Sequence, residues 1–248
     1  MDESSSVIGK VNGVLTGRAV AFTRPGSASA IAKVPIRGPV WVGLEGLTGD
    51  EQGDRRAHGG PDKAVHVYAF EHYRAWVAEL GDRSVLQASG AFGENLSTSG
   101  LTEANVCLGD KLRIGHALFE VSQPRQPCWK LNDRFQVDDM ARRVQATLRA
   151  GWYLRILEPE SLEVDCAITL VARPHPRWPL LRLLALLYAR PLDQAELIEA
   201  SALPLVPSWQ RLIAARLATG AVEDWTARLD GPPRAADESV TSEHDSIT

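Results

Sequence analysis

The chain has 248 residues, 44% of them hydrophobic and 23% charged, with a formal net charge of −4. That is ordinary globular material, long enough to bury a real core as one large domain or two smaller ones. The charge is uneven: seven acids and two bases follow from Ala221 onward, which leaves the body near neutral, without the long basic stripe that nucleic-acid binding requires. Leu180–Tyr188, the most apolar run, contains Arg182 and is far too short to span a bilayer. Met1 to Ser6 is acidic and serine-rich rather than a signal peptide, and three cysteines (Cys107, Cys128, Cys166) make no disulfide framework. The expected setting is the cytoplasm, with neither nucleic acid nor membrane as a partner.

In chain order, residues 7–14 and 18–22 predict short strands around Gly13 and Gly17, and residues 24–30 a turn. Residues 31–33 and 40–44 are strand candidates split by Pro35 and Gly38-Pro39. Residues 46–61 form a long, polar, glycine-bearing loop, and loops of that length in compact domains are mostly functional or disordered. Residues 63–70 predict a strand. Glu71–Leu80 predicts a helix, because Tyr73, Trp76, Val77 and Leu80 share one face and Gly81 stops it. Residues 92–96 form a second polar turn. Residues 106–108, 111–114 and 117–121 predict strands, residues 138–150 a helix ended by Gly151, and residues 152–157 and 164–171 the last strands. Many short strands at even spacing imply a closed or sandwiched β architecture with accessory helices.

The text changes at residues 173–179, where three prolines in seven residues predict a stiff linker. Helices follow over residues 180–190, from an N-cap at Asp193 through Ser201, and over 209–219 with Gly220 beyond. The expected organisation is a mainly β domain with some α over 1–172, the linker at 173–179, a small three-helix bundle over 180–220, and an acidic tail over 221–248, disordered after Trp225 or Leu229.

The chemistry concentrates at residues 122–132, Ser-Gln-Pro-Arg-Gln-Pro-Cys-Trp-Lys-Leu-Asn. Pro124 and Pro127 fix φ and remove donors, which predicts a stiff loop that is neither regular helix nor inner strand. Cys128 lies between Arg125 and Lys130, and a thiol beside fixed positive charge favours its thiolate, a nucleophile and a soft-metal ligand. Cys107 and Cys166 sit in apolar strand-like text and read as packing residues. His58 precedes Gly59-Gly60, whose backbone can approach a ligand closely and donate to an anion. Asp50, Glu51 and Asp54 with His58 fit no metal-ligand spacing, and read as a solvated acidic loop. Lys33, Lys63, Arg125 and Lys130 are cations near turns that together suit an anionic cofactor. Neither GxGxxG nor a Walker A sequence occurs.

Residues 49–54, 58–64, 92–96, Gly109-Asp110 and above all Gln123-Pro-Arg-Gln-Pro-Cys-Trp-Lys130, in that order, resemble the MOSC-domain proteins of the YiiM type. The resemblance runs over about residues 10–172, and residues after the proline segment resemble the three-helix domain of the same subfamily. It implies a β-barrel-like MOSC fold whose Cys128, on a loop at the mouth of a cleft, is the protein ligand of molybdenum in the molybdenum cofactor (Mo-molybdopterin). It implies reduction of N-hydroxylated small molecules or base analogues, a detoxification, with electrons from a separate flavin or haem reductase. By the same resemblance Lys33, Lys63, Arg125 and the Gly59-Gly60 backbone are candidates for the pterin phosphate and ring. His58 and Asn95 are candidates for hydrogen bonds to pterin or substrate. Relatives often carry two histidines before the glycine pair; here the first position is Ala57. Two other readings remain: thiol chemistry at Cys128 without molybdenum, as a sulfur carrier or transferase, and a non-catalytic cofactor-binding module.

Overall fold

A computed structural model of the chain describes residues 6–53 and 59–233. Seven strands carry the fold: β1 (Ser6–Thr16), β2 (Val65–Ala69), β3 (Leu96–Ser99), β4 (Lys111–Ile114), β5 (Ala117–Pro124), β6 (Trp152–Glu158) and β7 (Ala167–Ala172). They pair in the order β1-β3-β2-β6-β5-β4-β7, and β7 returns to β1, closing a barrel. Closure removes the free edges that an open sheet would expose. β2 and β3 are the parallel neighbours, and α1 (Glu71–Leu80) provides the crossover that parallel pairing requires.

Alternation within the strands sets inside from outside. In β6, Trp152, Leu154 and Ile156 are buried against Val65, Val67, Phe119 and Val121, while Tyr153 and Arg155 face the other way. A second apolar cluster lies outside the barrel. Tyr68, Tyr73, Trp76 and Phe92 pack there with Leu131 and Phe135 of α2 (Lys130–Phe135) and with Met140 and Val144 of α3 (Met140–Thr147). The rings of Tyr68 and Phe92 stack 4.0 Å apart. Each such buried side chain contributes about 2 kcal/mol, so α2 is held by its apolar face although six residues cannot sustain a helix alone.

Helices α4 (Leu180–Tyr188), α5 (Gln194–Ser201) and α6 (Pro207–Thr219) form the expected bundle. Asp193 caps α5 by accepting from Glu196 N at 3.1 Å, and Gly220 ends α6 with φ 62°. The bundle shares the barrel's core, because Leu180, Leu183, Leu186 and Leu187 are buried in the same cluster as Phe119 and Trp152. Residues 173–179 act as a packed seam rather than a bare spacer. Arg173 pairs with buried Asp110, Trp178 is buried, and Pro179 bridges to Cys107.

Several expectations are corrected. Residues 31–33 and 106–108 are not strands, whereas Leu96–Ser99 and Glu160–Leu162 are. Residues 7–14 and their flanks make one long strand because bulges at Gly9 and Gly13 bend it without breaking it. Pro124 ends a barrel strand instead of preceding a free loop, since Gln123 and Pro124 pair with Tyr153 and Trp152. Beyond Glu120 that strand has no register with β4, so its second edge needs no donor from proline. The tail folds as far as Pro233: α7 (Thr226–Leu229) packs onto the barrel domain with Leu229 buried. Residues 234–248 lie outside the described residues. Among the described residues no helix is long and apolar enough to cross a membrane.

Candidate functional site: a cationic cleft around Cys128

The loop that carries Cys128 is pinned at both ends. Upstream, the Arg125 N–H donates to the Gly151 carbonyl at 2.9 Å as β5 leaves the barrel beside β6. Gly151 has φ 75°, and a Cβ there would sit 2.5 Å from the Val67 carbonyl oxygen and 2.8 Å from His66 Nε2, so this position requires glycine. Downstream, the Cys128 carbonyl accepts from Leu131 N at 3.0 Å at the start of α2, whose Leu131 and Phe135 are buried in the second apolar cluster.

Cys128 is 8% exposed and lines a cleft of about 600 Å³. Lys33, Lys63, Asn95 and Arg125, predicted from the sequence, line the same cleft, and so do Asp50, His66, Phe92, Lys130 and Tyr153. Gly59 and Gly60 are not on its lining. Gly60, at φ 95°, gives its carbonyl to Lys63 N and turns the chain into the 3-10 helix Pro61–Lys63, so its evident task is to present Lys63. His58, Asp54 and Ala57 lie outside the described residues. Among the described residues no group of three or more His, Cys, Asp or Glu side chains is placed to hold a metal ion.

Asn95 is committed to the protein. Its Nδ2 donates to Asp50 Oδ2 at 2.8 Å and to the Leu15 carbonyl at 3.2 Å, and its Oδ1 accepts from His66 N at 3.0 Å. It therefore acts on the cleft by fixing Asp50 rather than by offering a free amide. Asp50 in turn pairs with Lys33 Nζ and accepts from Gly17 N at 2.8 Å. Burial pushes the Lys33 ammonium below its ordinary value, against the pull of Asp50. His66 is buried and held neutral, its pKa pushed well down by burial and then by the charges of Arg125 and Lys33. Burial also raises the Tyr153 phenol, while the hydrogen bond and charge of Arg125 pull the other way and the nearby Cys128 sulfur pushes further up.

The lining offers four cations against two carboxylates, and Asp50 and Glu51 are already engaged, with Lys33 and with Arg18 and Ala19 N. Arg125 is 6% exposed, and its Nη1 is buried with no hydrogen-bond partner among the described residues. A buried guanidinium donor left without an acceptor costs several kcal/mol in a protein unless a ligand supplies one. The cleft therefore suits an anion with several oxygen acceptors, and Cys128 on its wall suits a soft metal. A metal held there would take one sulfur from the chain and its other ligands from a bound group.

Tyr153 is not singled out by sequence patterning, and His66 reads as a strand residue of undetermined face; Asp50, read as part of a solvated acidic loop, is instead a buried partner of Lys33 with its side chain 7% exposed. Tyr153 and His66 sit opposite each other in the β6–β2 register, but strand alternation does not say which face meets a cleft.

Residues 54–169 match the MOSC domain and residues 178–220 the YiiM-like 3-alpha helix domain. Protein YiiM of Escherichia coli strain K12 is 40% identical over 219 residues, which is 88% of this chain and 97% of that protein. A protein of Gibberella moniliformis named "Reductase" is 38% identical over 190 residues, 76% of this chain but 34% of that much longer one. The crystal structure of YiiM from Escherichia coli superposes with a TM-score of 0.73 at 33% identity, covering 90% of this chain and 97% of that one. The barrel domain and the three-helix domain that follows it are thus matched at both levels of comparison, and the chain belongs to the MOSC-domain proteins of the YiiM type.

Proposed function

We propose that the protein is a molybdenum-cofactor-dependent reductase of N-hydroxylated small molecules in which Cys128 is the protein ligand of molybdenum. The observation that carries this reading is the pairing of a thiol with an unsatisfied guanidinium in one cleft: Cys128 lines the same cleft as the buried, partnerless Nη1 of Arg125. The MOSC family is associated with the molybdenum cofactor, and a relative bears the name "Reductase". When bound, the cofactor supplies two-electron exchange with removal of oxygen, so that N–OH, two electrons and two protons give N–H and water.

The chain's own residues would divide the remaining work. Cys128 ligates, and its position is held by the Arg125–Gly151 and Cys128–Leu131 backbone hydrogen bonds. Arg125 Nη1 and the Lys63 ammonium donate to the anionic pterin and phosphate oxygens, with Lys33 fixed alongside by Asp50. His66, neutral and buried, adds no charge behind them. Tyr153 Oη keeps its proton at neutral pH and is placed beside Arg125 and Cys128 to hydrogen-bond the departing oxygen. The electrons come from a separate flavin or haem reductase.

The test is turnover. Protein from a host that makes the cofactor, supplied with a chemical reductant, should convert an amidoxime or aryl hydroxylamine to the amine or amidine. Cys128→Ala should abolish this. Equal turnover by the variant, or none by a cofactor-loaded wild type with several N-hydroxylated classes, would reject the reading.

A further inference from the structure

The residues that follow the three-helix domain return to the site. Residues 225–233 cross the Cys128 loop and hold it through its own backbone. Trp129 N donates to the Arg228 carbonyl at 2.8 Å, and the Arg228 guanidinium donates to the Pro127 carbonyl, so the residues on both sides of Cys128 are tied to one arginine. The same guanidinium donates to Gln145 Oε1 of α3 at 2.7 Å and lies 5.7 Å from the Tyr188 ring of α4. Asn132 Nδ2 donates to the Leu229 carbonyl at 2.9 Å, and Arg142 makes a two-point ion pair with Asp230 at 2.6 and 3.1 Å. Buried Arg24, paired with Asp133, donates to the Asp230 and Pro232 carbonyls. Gly231, at φ 72°, lies flat on the Trp129 indole so closely that a Cβ would overlap the ring.

These contacts also enclose space. A second, larger chamber of about 1480 Å³ adjoins the first cleft and shares Gly53, Lys63, Cys128, Lys130 and Tyr153 with it. Its far wall is Ala227, Arg228 and Pro232. Cys128 therefore stands between a narrow cationic cleft and a wide chamber, and the wide chamber owes one side to the returning segment.

We infer that residues 225–233 form a strap that positions the Cys128 loop and walls the route by which molecules reach Cys128. Arg228 is a positioning residue, since it acts on Cys128 through the Pro127 carbonyl and Trp129 amide. The strap also makes the three-helix domain part of the site, because it is tethered there through Tyr188 and through Arg216, which is buried and paired with Glu223. The inference rests on Cys128 being the functional thiol, and its test needs no bound cofactor.

The experiment is alkylation of full-length, cofactor-free protein by iodoacetamide and by a bulky maleimide, read residue by residue by mass spectrometry. Cys107 and Cys166 serve as internal controls. Arg228→Gln and Gly231→Ala should each raise the Cys128 rate with iodoacetamide by at least about fivefold, as expected when a few hydrogen bonds no longer oppose local opening. Cys107 and Cys166 should keep their wild-type rates. Ala227→Phe breaks no hydrogen bond and adds bulk to the chamber wall, so it should slow the maleimide while leaving iodoacetamide unchanged. Unchanged Cys128 rates in the first two variants would overturn the positioning role. A parallel rise at all three cysteines would reduce the strap to a general stabiliser and overturn it equally. Equal maleimide rates in Ala227→Phe and wild type would overturn the wall. Loss of molybdenum-dependent turnover with these alkylation results intact would count against the proposed reaction and leave the strap standing.

Discussion

Asn95 and Asp50 are joined side chain to side chain, Nδ2 to Oδ2, at 2.8 Å beneath the cleft. Through them the β2–β3 connection, the Leu15 carbonyl, Gly17 and the Lys33 ammonium converge on one carboxylate. Lys33 and Asp50 side chains are each 7% exposed, so removing one partner leaves a buried charge unanswered. Asp50→Ala should destabilise the protein by about 3 kcal/mol and lower Tm by roughly 6–10 °C. The double variant Lys33→Met/Asp50→Leu should recover part of that loss, because no charge is then buried while Gly17 N and Asn95 Nδ2 still lose their acceptor. A loss under about 1 kcal/mol for Asp50→Ala in denaturant titrations would mean the pair behaves as a solvated one.

His66 gives the stability curve a direction in pH. Its folded pKa is depressed well below 6.5, whereas the unfolded chain binds a proton near 6.5. Below that value the unfolded state holds more protons, so stability rises with pH through the window from the depressed value up to 6.5 and falls on acidification. His66→Gln should flatten the slope of unfolding free energy between about pH 7 and pH 5 by up to about 1.4 kcal/mol per unit. An identical slope in variant and wild type would show that the imidazole is protonated in the fold.

Two glycines with the same backbone sign should respond differently. Gly151 and Gly81 both have φ 75°, but a Cβ at Gly151 meets Val67 O and His66 Nε2, and one at Gly81 meets nothing within 4 Å. Gly81→Ala should cost about 2 kcal/mol, the strain of an alanine held at φ 75°, ψ −178°, a region that is essentially glycine's alone. Gly151→Ala should cost about 3 kcal/mol by adding overpacking, and should loosen the Arg125–Gly151 contact that pins the Cys128 loop. Equal costs in thermal unfolding would remove the steric argument for Gly151.

Arg125 offers an anion-binding prediction independent of redox turnover. Arg125→Gln should weaken inorganic phosphate binding to cofactor-free protein about tenfold, by loss of a charge-assisted donor. Arg113→Gln, on an exposed barrel strand, should leave it unchanged. Calorimetry giving the same affinity for both variants would place the anion elsewhere.

How much of this was legible in the sequence depended on the length of each signal. Helix Glu71–Leu80 was readable to the residue because four apolar positions share a face and Gly81 ends it. The bundle was readable from Asp193, Pro207 and Gly220, which cap and punctuate it. Leu96–Ser99 was not, because it emerges from a polar turn and is stabilised by pairing with Val11 and Val67 rather than by its own text. Cys128 with Arg125 and Lys130 stood out because proline, cation and thiol occur together. Asp50 was visible as a carboxylate, but its real partners, Lys33 and Asn95, are separated from it by 17 and 45 positions. Tyr153 looks like any strand residue until its neighbour across the register is known. The acidic tail misled most: its polar composition hides Leu229 and Arg228, two of the side chains that dock it.

Everything proposed for the cleft depends on Cys128 holding molybdenum beside a bound pterin. The most direct measurement is molybdenum and pterin content of protein made in a cofactor-producing host, wild type beside Cys128→Ser, with a known molybdoenzyme from the same cells as loading control. The wild type should hold near-stoichiometric molybdenum and pterin, and the variant should lose the metal. Molybdenum retained equally by Cys128→Ser, or absent from both proteins while the control is loaded, would contradict it.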